Sequence, residues 1–79
     1  MMITIKDLLN KIKWDKRENP EEYIICYYDR ILKKLIHINF KDLKIKDDYI
    51  ILIKDNEEIN IPLHRIRKVM KKGKVVWER

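Results

Sequence analysis

The strongest constraint on the fold is a change of hydrophobic period between the N-terminal segment and the rest of the chain. The first segment repeats apolar residues at i, i+3, i+4 and i+7, the spacing of one stripe of an amphipathic helix. These residues are Ile5, Leu8, Leu9 and Ile12. From Tyr23 onward, β-branched and aromatic residues dominate, and several stretches alternate apolar with polar residues, as strands do. The sequence therefore predicts an α+β fold with one N-terminal helix.

The predicted helix has a start signal before it and a charged break after it. Thr4 can cap the first turn, and Asp7 places an acid near the positive end of the helix dipole. The charged segment 15–20 then ends the helical pattern. Because so short a helix is marginal alone, we expect it to pack on a sheet.

Four strands are predicted from local patterns in the middle of the chain. They cover residues 23–30, 35–40, 49–54 and 57–61. Asp55-Asn56 tolerates the positive φ of a tight turn and predicts a hairpin between the last two of these strands. Segments 41–43 and 46–48 are interpreted as turns. Pro62 ends the fourth strand because it lacks an N–H donor.

Residues 63–72 fit two different structures. The apolar spacing from Leu63 to Met70, between a proline and a glycine, is that of a helix. In contrast, Lys72-Gly73 followed by a β-branched segment indicates a hairpin. We favour a turn at 63–65 and a hairpin of 66–71 with 74–78.

The length of the chain limits it to one small domain. A chain of 79 residues buries only about three-fifths of its unfolded surface, and fifteen isoleucines supply the dense core that it needs. The prediction is a single domain over residues 1–79. In it, the N-terminal helix packs on a curved antiparallel sheet of five or six strands, which could form a small open barrel.

Cysteine usage and hydropathy indicate the compartment. The single cysteine, Cys26, cannot form an internal disulfide, which favours a reducing environment. It lies in an apolar run, where burial would raise the pKa of the thiol and make it inert. No apolar run reaches the length of a signal peptide core or a membrane span. We therefore predict a cytoplasmic protein with no membrane partner.

The positive charge is concentrated at the C-terminal end. Residues 64–79 carry seven Lys/Arg and one acid, whereas residues 1–63 carry twelve of each, so the net charge of +6 falls entirely in the last fifth. Such a segregated charge produces a local field that attracts phosphates. Abundant lysine is also typical of hyperthermophile proteins and of AT-rich genomes, and the lysines of 71–74 would also fit a solvated loop.

Two pairs of polar residues are candidate anion ligands. In His64-Arg65, the guanidinium fork matches the two free oxygens of a phosphodiester, and the imidazole can donate to them or transfer a proton. Asp29-Arg30, at the end of the first predicted strand, would add a second guanidinium beside an acid that can orient it. The alternatives are an ordinary surface ion pair for Arg65 and a solvated strand end for Asp29-Arg30.

Aromatic residues could stack an unpaired base, and several other chemistries are missing. Tyr28 is the candidate for an exposed ring, whereas Trp14 and Trp77 are expected to pack. There is no serine, no Gly-rich phosphate loop and no Cys/His set for zinc, so we predict no cofactor and no metal. The two histidines do not repeat the His-x-Thr or His-x-Ser motif of two-histidine phosphoesterases.

Several blocks of the sequence together resemble one known family. They are Leu9…Trp14-Asp15, Pro20…Tyr23, Tyr28-Asp29-Arg30, Ile61-Pro62-x-His64-Arg65-Ile66 and Gly73-x-Val75-Val76-Trp77-x-Arg79. This pattern is similar to that of a small, mainly archaeal family, the RNA cyclic group end recognition domain, and it spans nearly the whole chain. The resemblance implies binding of RNA ends that carry a 2′,3′-cyclic phosphate, by a domain that occurs alone or fused to RNA-processing enzymes.

The resemblance implies a role for each polar residue of the pattern. Arg30, His64 and Arg65 would bind the terminal phosphate, and Asp29 would orient the site. The last base would stack on Tyr28. The upstream RNA backbone would be contacted without sequence specificity by basic residues of the C-terminal segment, namely Arg67, Lys71, Lys72 and Lys74.

The expected function is that of a non-catalytic RNA-binding module in RNA processing or repair. One alternative is an RNA-end phosphodiesterase that uses His64 as general acid or base. The other alternative is a protein-interaction module of an RNA-processing complex.

Overall fold

The structure, a computed structural model, describes residues 3–79 apart from the side chain of Lys54. It contains one helix, seven strands and three short 3₁₀ turns. The helix and strands are α1 (Ile5–Trp14), β1 (Tyr23–Asp29), β2 (Lys34–Asn39), β3 (Leu43–Ile45), β4 (Tyr49–Lys54), β5 (Glu57–Pro62), β6 (Ile66–Lys71) and β7 (Lys74–Glu78). The 3₁₀ turns are Pro20–Glu22, Phe40–Asp42 and Leu63–Arg65.

Helix α1 begins and ends where the sequence predicts. The hydroxyl of Thr4 accepts a hydrogen bond from the Asp7 N–H at 3.1 Å, which caps the first turn. At the other end, the Asp15 N–H donates to the Lys11 carbonyl at 2.9 Å. Its apolar stripe, Ile5, Leu8, Leu9 and Ile12, is buried in the core.

The strands form two antiparallel sheets instead of the single predicted sheet. The four-stranded sheet has the order β2-β1-β6-β7, and the three-stranded sheet has the order β3-β4-β5. The sheets are not joined into a closed barrel. The predicted count of five or six strands was too low, mainly because Leu43 was assigned to a turn. Leu43 instead begins β3, a strand of three residues that is too short to show a period and is fixed by its pairing with β4.

Two tight turns confirm the predicted hairpins. Asp55 and Asn56 have φ values of 52° and 65°, and Lys72 and Gly73 have φ values of 51° and 80°. Positive φ at both central residues is the type I′ geometry that matches the twist of the flanking strands. Residues 66–78 are therefore the favoured hairpin of β6 with β7, and the helical alternative for 63–72 is wrong.

A single core joins α1 to both sheets. The core side of the four-stranded sheet contributes the paired residues Ile25, Val69 and Trp77, and the second sheet contributes Ile50 and Ile61. The Trp77 indole N–H also donates to the Ile3 carbonyl at 2.9 Å, which ties the last strand to the N-terminal segment.

The prediction that both tryptophans pack was wrong for Trp14. This side chain is 73% exposed, because it lies at the last position of α1, off the apolar stripe. The Lys13 ammonium lies 5.1 Å from the centre of its ring, a cation–π distance. Trp77 is buried, as predicted.

The opposite side of the four-stranded sheet, called here the outer face, belongs to no hydrophobic core cluster. Cys26 pairs with His37 on β2 and with Lys68 on β6, so these residues share that face. Because successive side chains of a strand point to opposite sides of the sheet, the register also assigns a further set of residues to the outer face. These are Ile24, Tyr28, Leu35, Asn39, Met70, Val75 and Glu78. Cys26 is nevertheless 0% exposed, and burial raises the pKa of its thiol.

Candidate nucleic-acid interface

The pairing of β1 with β6 brings the predicted end-binding residues to one end of the four-stranded sheet. Tyr27, near the end of β1, is opposite Ile66, the first residue of β6. The β1–β2 turn, which carries Arg30, therefore lies at the same end as the 3₁₀ turn that carries His64 and Arg65. We call this the site end of the sheet. Its residues come from segments 35 positions apart in sequence (65 minus 30).

Asp29 shapes the β1–β2 turn. Its carboxylate oxygen Oδ1 accepts hydrogen bonds from the N–H groups of Ile31 at 2.8 Å and Leu32 at 3.0 Å. Lys33 closes the turn with a φ of 54°. Arg30 lies exposed between these residues. The only hydrogen bonds found for the Asp29 side chain, among residues 3–79, are to backbone N–H groups, so it orients the turn that presents Arg30.

The 3₁₀ turn at Leu63–Arg65 is anchored on both sides. The Leu63 side chain is buried, and its N–H donates to the Asp48 carbonyl at 3.1 Å. From the other side, the Arg79 guanidinium donates to the His64 carbonyl at 2.7 Å, and the Arg79 N–H donates to the Arg67 carbonyl at 2.9 Å. The His64 imidazole is left exposed at the surface.

Arg79 is a residue of the site end that the sequence analysis missed. Its guanidinium lies 5.4 Å from the centre of the Trp77 ring, which helps to hold it beside the 3₁₀ turn. The sequence pattern includes Arg79 two residues after Trp77, but nothing in that pattern assigns the side chain a contact with the 3₁₀ turn.

Arg65 has an unusual environment. The residue is half-buried, and its Nε–H is buried without a hydrogen-bond partner. Buried donors are rarely left unpaired in native proteins. Salt bridges within the described part of the chain join Arg17 to Asp15, Lys71 to Glu18 and Lys72 to Glu22, so Arg65 and Arg30 are engaged by no described carboxylate.

Tyr28 and Arg67 form a pair on the outer face, next to the site end. Arg67 is the extra residue of a β-bulge, since Tyr27 pairs with Ile66 and Cys26 pairs with Lys68. Its guanidinium lies 6.0 Å from the centre of the Tyr28 ring. The sequence predicted an exposed Tyr28 ring. The residue is instead half-buried, and the Arg67 guanidinium lies against its ring.

The basic C-terminal segment is divided by the hairpin. Arg65, Arg67 and Arg79 lie at the site end, whereas Lys71, Lys72 and Lys74 surround the β6–β7 turn at the opposite end. Arg65 and Lys71 are six residue steps apart (71 minus 65), about 20 Å at the rise of a strand. The Lys71 ammonium contacts Glu18 at 3.4 Å and the Lys72 ammonium contacts Glu22 at 3.7 Å, so two lysines of the distant group are paired internally.

Glu18, Tyr23 and Lys71 form a cluster at that distant end. The Tyr23 hydroxyl donates to the Glu18 carboxylate, and this contact holds the pKa of Glu18 below its usual range. Burial, followed by the hydrogen bond to Glu18, raises the pKa of Tyr23 to about 12. The cluster ties the segment after α1 to β1 and β6.

The shifted pKa of Tyr23 predicts a loss of stability in alkali. The unfolded chain ionises this tyrosine near pH 10, whereas the folded chain keeps it neutral to about pH 12. The folded state therefore binds more protons between these values, and the free energy of unfolding should fall as pH rises through this window. This difference of about two pKa units corresponds to a loss in the free energy of unfolding on the order of 2–3 kcal/mol.

Urea unfolding of the wild type and of Tyr23→Phe at pH 9 to 12 measures this effect. Other groups titrate in the same range, so the difference between the two proteins isolates Tyr23. The stability difference between them should shrink as pH rises. A constant difference across the window would contradict the shift.

A cleft of about 570 Å³ lies between the two sheets. Apolar residues of β1, β2, β4 and β5 line it, together with the polar residues Asp29, His37 and Asp42. Arg30, His64 and Arg65 do not line this cleft. The site end is thus a positively charged surface next to the cleft, and Asp29 of its β1–β2 turn also lines the cleft.

Comparison with known proteins places this arrangement in a family. The sequence model of the MJ1316 RNA cyclic group end recognition domain matches residues 2–79. The chain belongs to this family. The resemblance noted in the sequence is therefore confirmed over nearly its whole length.

Members of the family from archaea are similar to the chain along nearly all of its length. A UPF0248 protein of Saccharolobus islandicus is 35% identical, with 95% of this chain and 98% of the relative covered. A UPF0248 protein of Metallosphaera sedula is 38% identical, with 98% and 94% covered. One from Pyrococcus abyssi is 40% identical, with 95% and 88% covered. No solved structure matches the chain significantly.

Among residues 3–79, no helix is both long enough and apolar enough to cross a membrane.

Proposed function

We propose that the protein is an RNA-binding module that recognises RNA ends carrying a 2′,3′-cyclic phosphate. The observation that carries the proposal is that the β1–β2 turn with Arg30 and the 3₁₀ turn with His64 and Arg65, two segments remote in sequence, lie at the same end of the four-stranded sheet. Membership of a family described by cyclic-group end recognition supports the same ligand.

The chemistry of the ligand fits these side chains. A cyclic phosphate has one negative charge and two free oxygens, and it has no terminal hydroxyl. Arg30 and Arg65 each offer a planar fork of N–H donors that matches two phosphate oxygens. His64, next to Arg65 in the chain, is exposed and can add one donor. Asp29 contributes indirectly, because it orders the turn that carries Arg30.

The unpaired Nε–H of Arg65 supports the binding of a ligand that supplies a hydrogen-bond acceptor from outside the protein. A guanidinium held by internal carboxylates would gain little from a phosphate, because the existing contacts would first have to break. Arg65 has no such contact among the described side chains, and its buried Nε–H lacks an acceptor. A phosphate oxygen bound to a reoriented Arg65 would satisfy this donor.

The remaining predicted contacts divide into a near group and a distant group. Tyr28, beside the site end, would stack the last base, with Arg67 close enough to contact its phosphate. Lys74 would bind the RNA backbone farther away, whereas Lys71 and Lys72 must first give up part of their contacts with Glu18 and Glu22. We therefore assign the weaker backbone contributions to the two paired lysines.

The surroundings of the His64 imidazole agree better with a role in binding than with a role in catalysis. A general base is usually oriented by a hydrogen bond to a second group. Among the described residues, the hydrogen bond found at His64 is to its backbone carbonyl, with none to its imidazole. His37 lies on β2, separated from the 3₁₀ turn by β1, so the two histidines do not form an adjacent pair.

Binding of three RNAs of the same sequence tests the proposal. One ends in a 2′,3′-cyclic phosphate, one in a 3′-phosphate and one in a hydroxyl, and fluorescence anisotropy measures their affinities at several salt concentrations. The cyclic end should bind at least about 10-fold more tightly than the hydroxyl end, the effect of one charge-assisted contact. The 3′-phosphate has more charge, so its affinity should fall faster with salt than that of the cyclic end.

Three outcomes would contradict the proposal. Equal affinities for all three ends would exclude end recognition while leaving general RNA binding in place. Slow conversion of the cyclic end to a monophosphate, abolished in His64→Ala, would instead show the phosphodiesterase activity. Absence of any RNA binding that depends on salt would favour the protein-interaction module.

A further inference from the structure

The outer face joins the site end to the β6–β7 turn and, within residues 3–79, contributes to no hydrophobic core cluster. Its residues belong to no core cluster, and Leu35 and Val75 on it are exposed. No described helix or strand of the second sheet pairs with it or contributes to a core on that side. A sheet face of this kind, part apolar and part polar, is available to a ligand.

Positive charge runs along this face in the direction of β6. Arg67 lies at the start of the strand beside Tyr28, and Lys68 lies at its centre opposite Cys26. Lys72 follows at the hairpin turn, with its ammonium 3.7 Å from the Glu22 carboxylate, whereas Lys74 pairs with Lys71 on the other side of the sheet. Glu78, paired with Lys68, is the one acid among the paired outer-face residues named above. The balance of charge therefore favours an anionic ligand.

The surface between these cations is suited to bases. Ile24, Met70 and Val75 form a paired apolar row across three strands, and Tyr28 with Leu35 forms a second row. Unpaired bases of RNA bind through their flat faces to aromatic and apolar side chains, while basic side chains neutralise the phosphates. A duplex would present phosphates alone and leave these rows unused.

We infer that the RNA strand leading to the recognised end lies across the outer face, along β6, and reaches the Lys72-Gly73 turn. This inference rests on the proposed function, because it takes the site end as the position of the terminal phosphate. The path of about 20 Å accommodates up to about six nucleotides at 3.4 Å each when they are stacked, and fewer when they are spread. The ligand is therefore a single strand several nucleotides long.

A length series tests the path. RNAs of 2, 4, 6, 8 and 10 nucleotides, all with a cyclic phosphate end, are titrated into the wild-type protein. Affinity should rise by about 10-fold or more from two nucleotides to about six and then level off. A plateau already at two nucleotides would overturn the inference, as would a rise that continues in proportion to length through ten.

A charge reversal on the outer face tests whether the rise in affinity with RNA length comes from contacts on that face. Lys68→Glu should remove most of the length-dependent gain and leave the affinity for the two-nucleotide RNA within about 2-fold. Lys44→Glu, an exposed position of β3 in the other sheet, is the matched control and should retain the gain. Equal loss in both variants would show a general charge effect and overturn the path.

Amide chemical shifts of the unmodified protein give a second measurement that does not depend on a variant. The eight-nucleotide RNA should shift the amides of Asn39, Met70 and Val75, and the two-nucleotide RNA should leave them unchanged. Shifts confined to the three-stranded sheet would overturn the path.

The two proposals fail in different ways. If all three RNA ends bind equally but the length gain and the Lys68 effect persist, the end site is wrong and the path stands. If the cyclic end is preferred but length has no effect, the path alone is wrong. Binding of a folded protein partner to the outer face, with no RNA length effect, would likewise overturn the path.

Discussion

Replacing Arg65 with alanine should lower the affinity for RNA with a cyclic phosphate end by about 10- to 100-fold. A hydrogen-bonded contact between charged groups contributes about 1.5–3 kcal/mol, and each 1.4 kcal/mol corresponds to a factor of ten. Arg65 is half-buried and unpaired, so its guanidinium loses no internal ion pair when it binds a phosphate. Affinity for the hydroxyl end should change by only about 2- to 3-fold, because that RNA lacks the terminal phosphate.

Two further variants separate the fork of donors from the charge. Arg65→Lys keeps the positive charge but loses the planar pair of N–H groups, so we expect it to recover only a small part of the lost affinity. Arg17→Ala removes one charge in the segment after α1, where Arg17 pairs with Asp15, and should affect all three RNA ends equally. If Arg65→Ala also lowers all three affinities by the same factor, Arg65 does not contact the terminal phosphate. Circular dichroism melting curves check that each variant is folded.

Features of the fold that depend on neighbouring residues could be predicted from the sequence. The helix follows from its cap at Thr4 and its apolar stripe. The two hairpins follow from Asp55-Asn56 and Lys72-Gly73, because few residue pairs accept positive φ at both positions. In these cases the local preference and the final structure agree.

Features that depend on pairing between distant strands could not be predicted in this way. Strand β3 has three residues, and nothing in its own sequence distinguishes it from the turn before it. The division into two sheets depends on which strands lie beside β1, and β6 takes that place although it is about forty residues later in the chain. The helical period likewise did not show that Trp14, the last residue of α1, would lie in solvent.

The candidate site was predictable in its members but not in its arrangement. His64-Arg65 and Asp29-Arg30 stand out as polar pairs at strand ends, but only the register of β1 with β6 brings them to one end of the sheet. The basic C-terminal segment is continuous in sequence, but the hairpin of β6 with β7 places its residues at two opposite ends of the sheet. Arg67 is directed to Tyr28 by a bulge, and a bulge of one residue leaves no pattern in the sequence.

The largest expected effect on stability is that of Ile25→Ala, at about 2–5 kcal/mol. Ile25 is 0% exposed at the centre of β1, between Ile38 and Val69 in the core row of the four-stranded sheet. Truncation removes its buried methyl groups and leaves a cavity that the surrounding strands cannot fill. A domain of 79 residues has a total free energy of unfolding of about 4–12 kcal/mol, so this one change removes a large part of it.

Ile31→Ala is the matched control, since it makes the same chemical change at a side chain that is 91% exposed. Its N–H still donates to Asp29, so the β1–β2 turn is kept, and the free energy of unfolding should change by no more than about 0.5 kcal/mol. Urea unfolding followed by far-UV circular dichroism compares the two variants with the wild type. Similar losses in both would show that β1 does not have its core side at Ile25. Because the outer face is the opposite side of the same strand, that result would also reverse the face assigned to Cys26, His37 and Lys68.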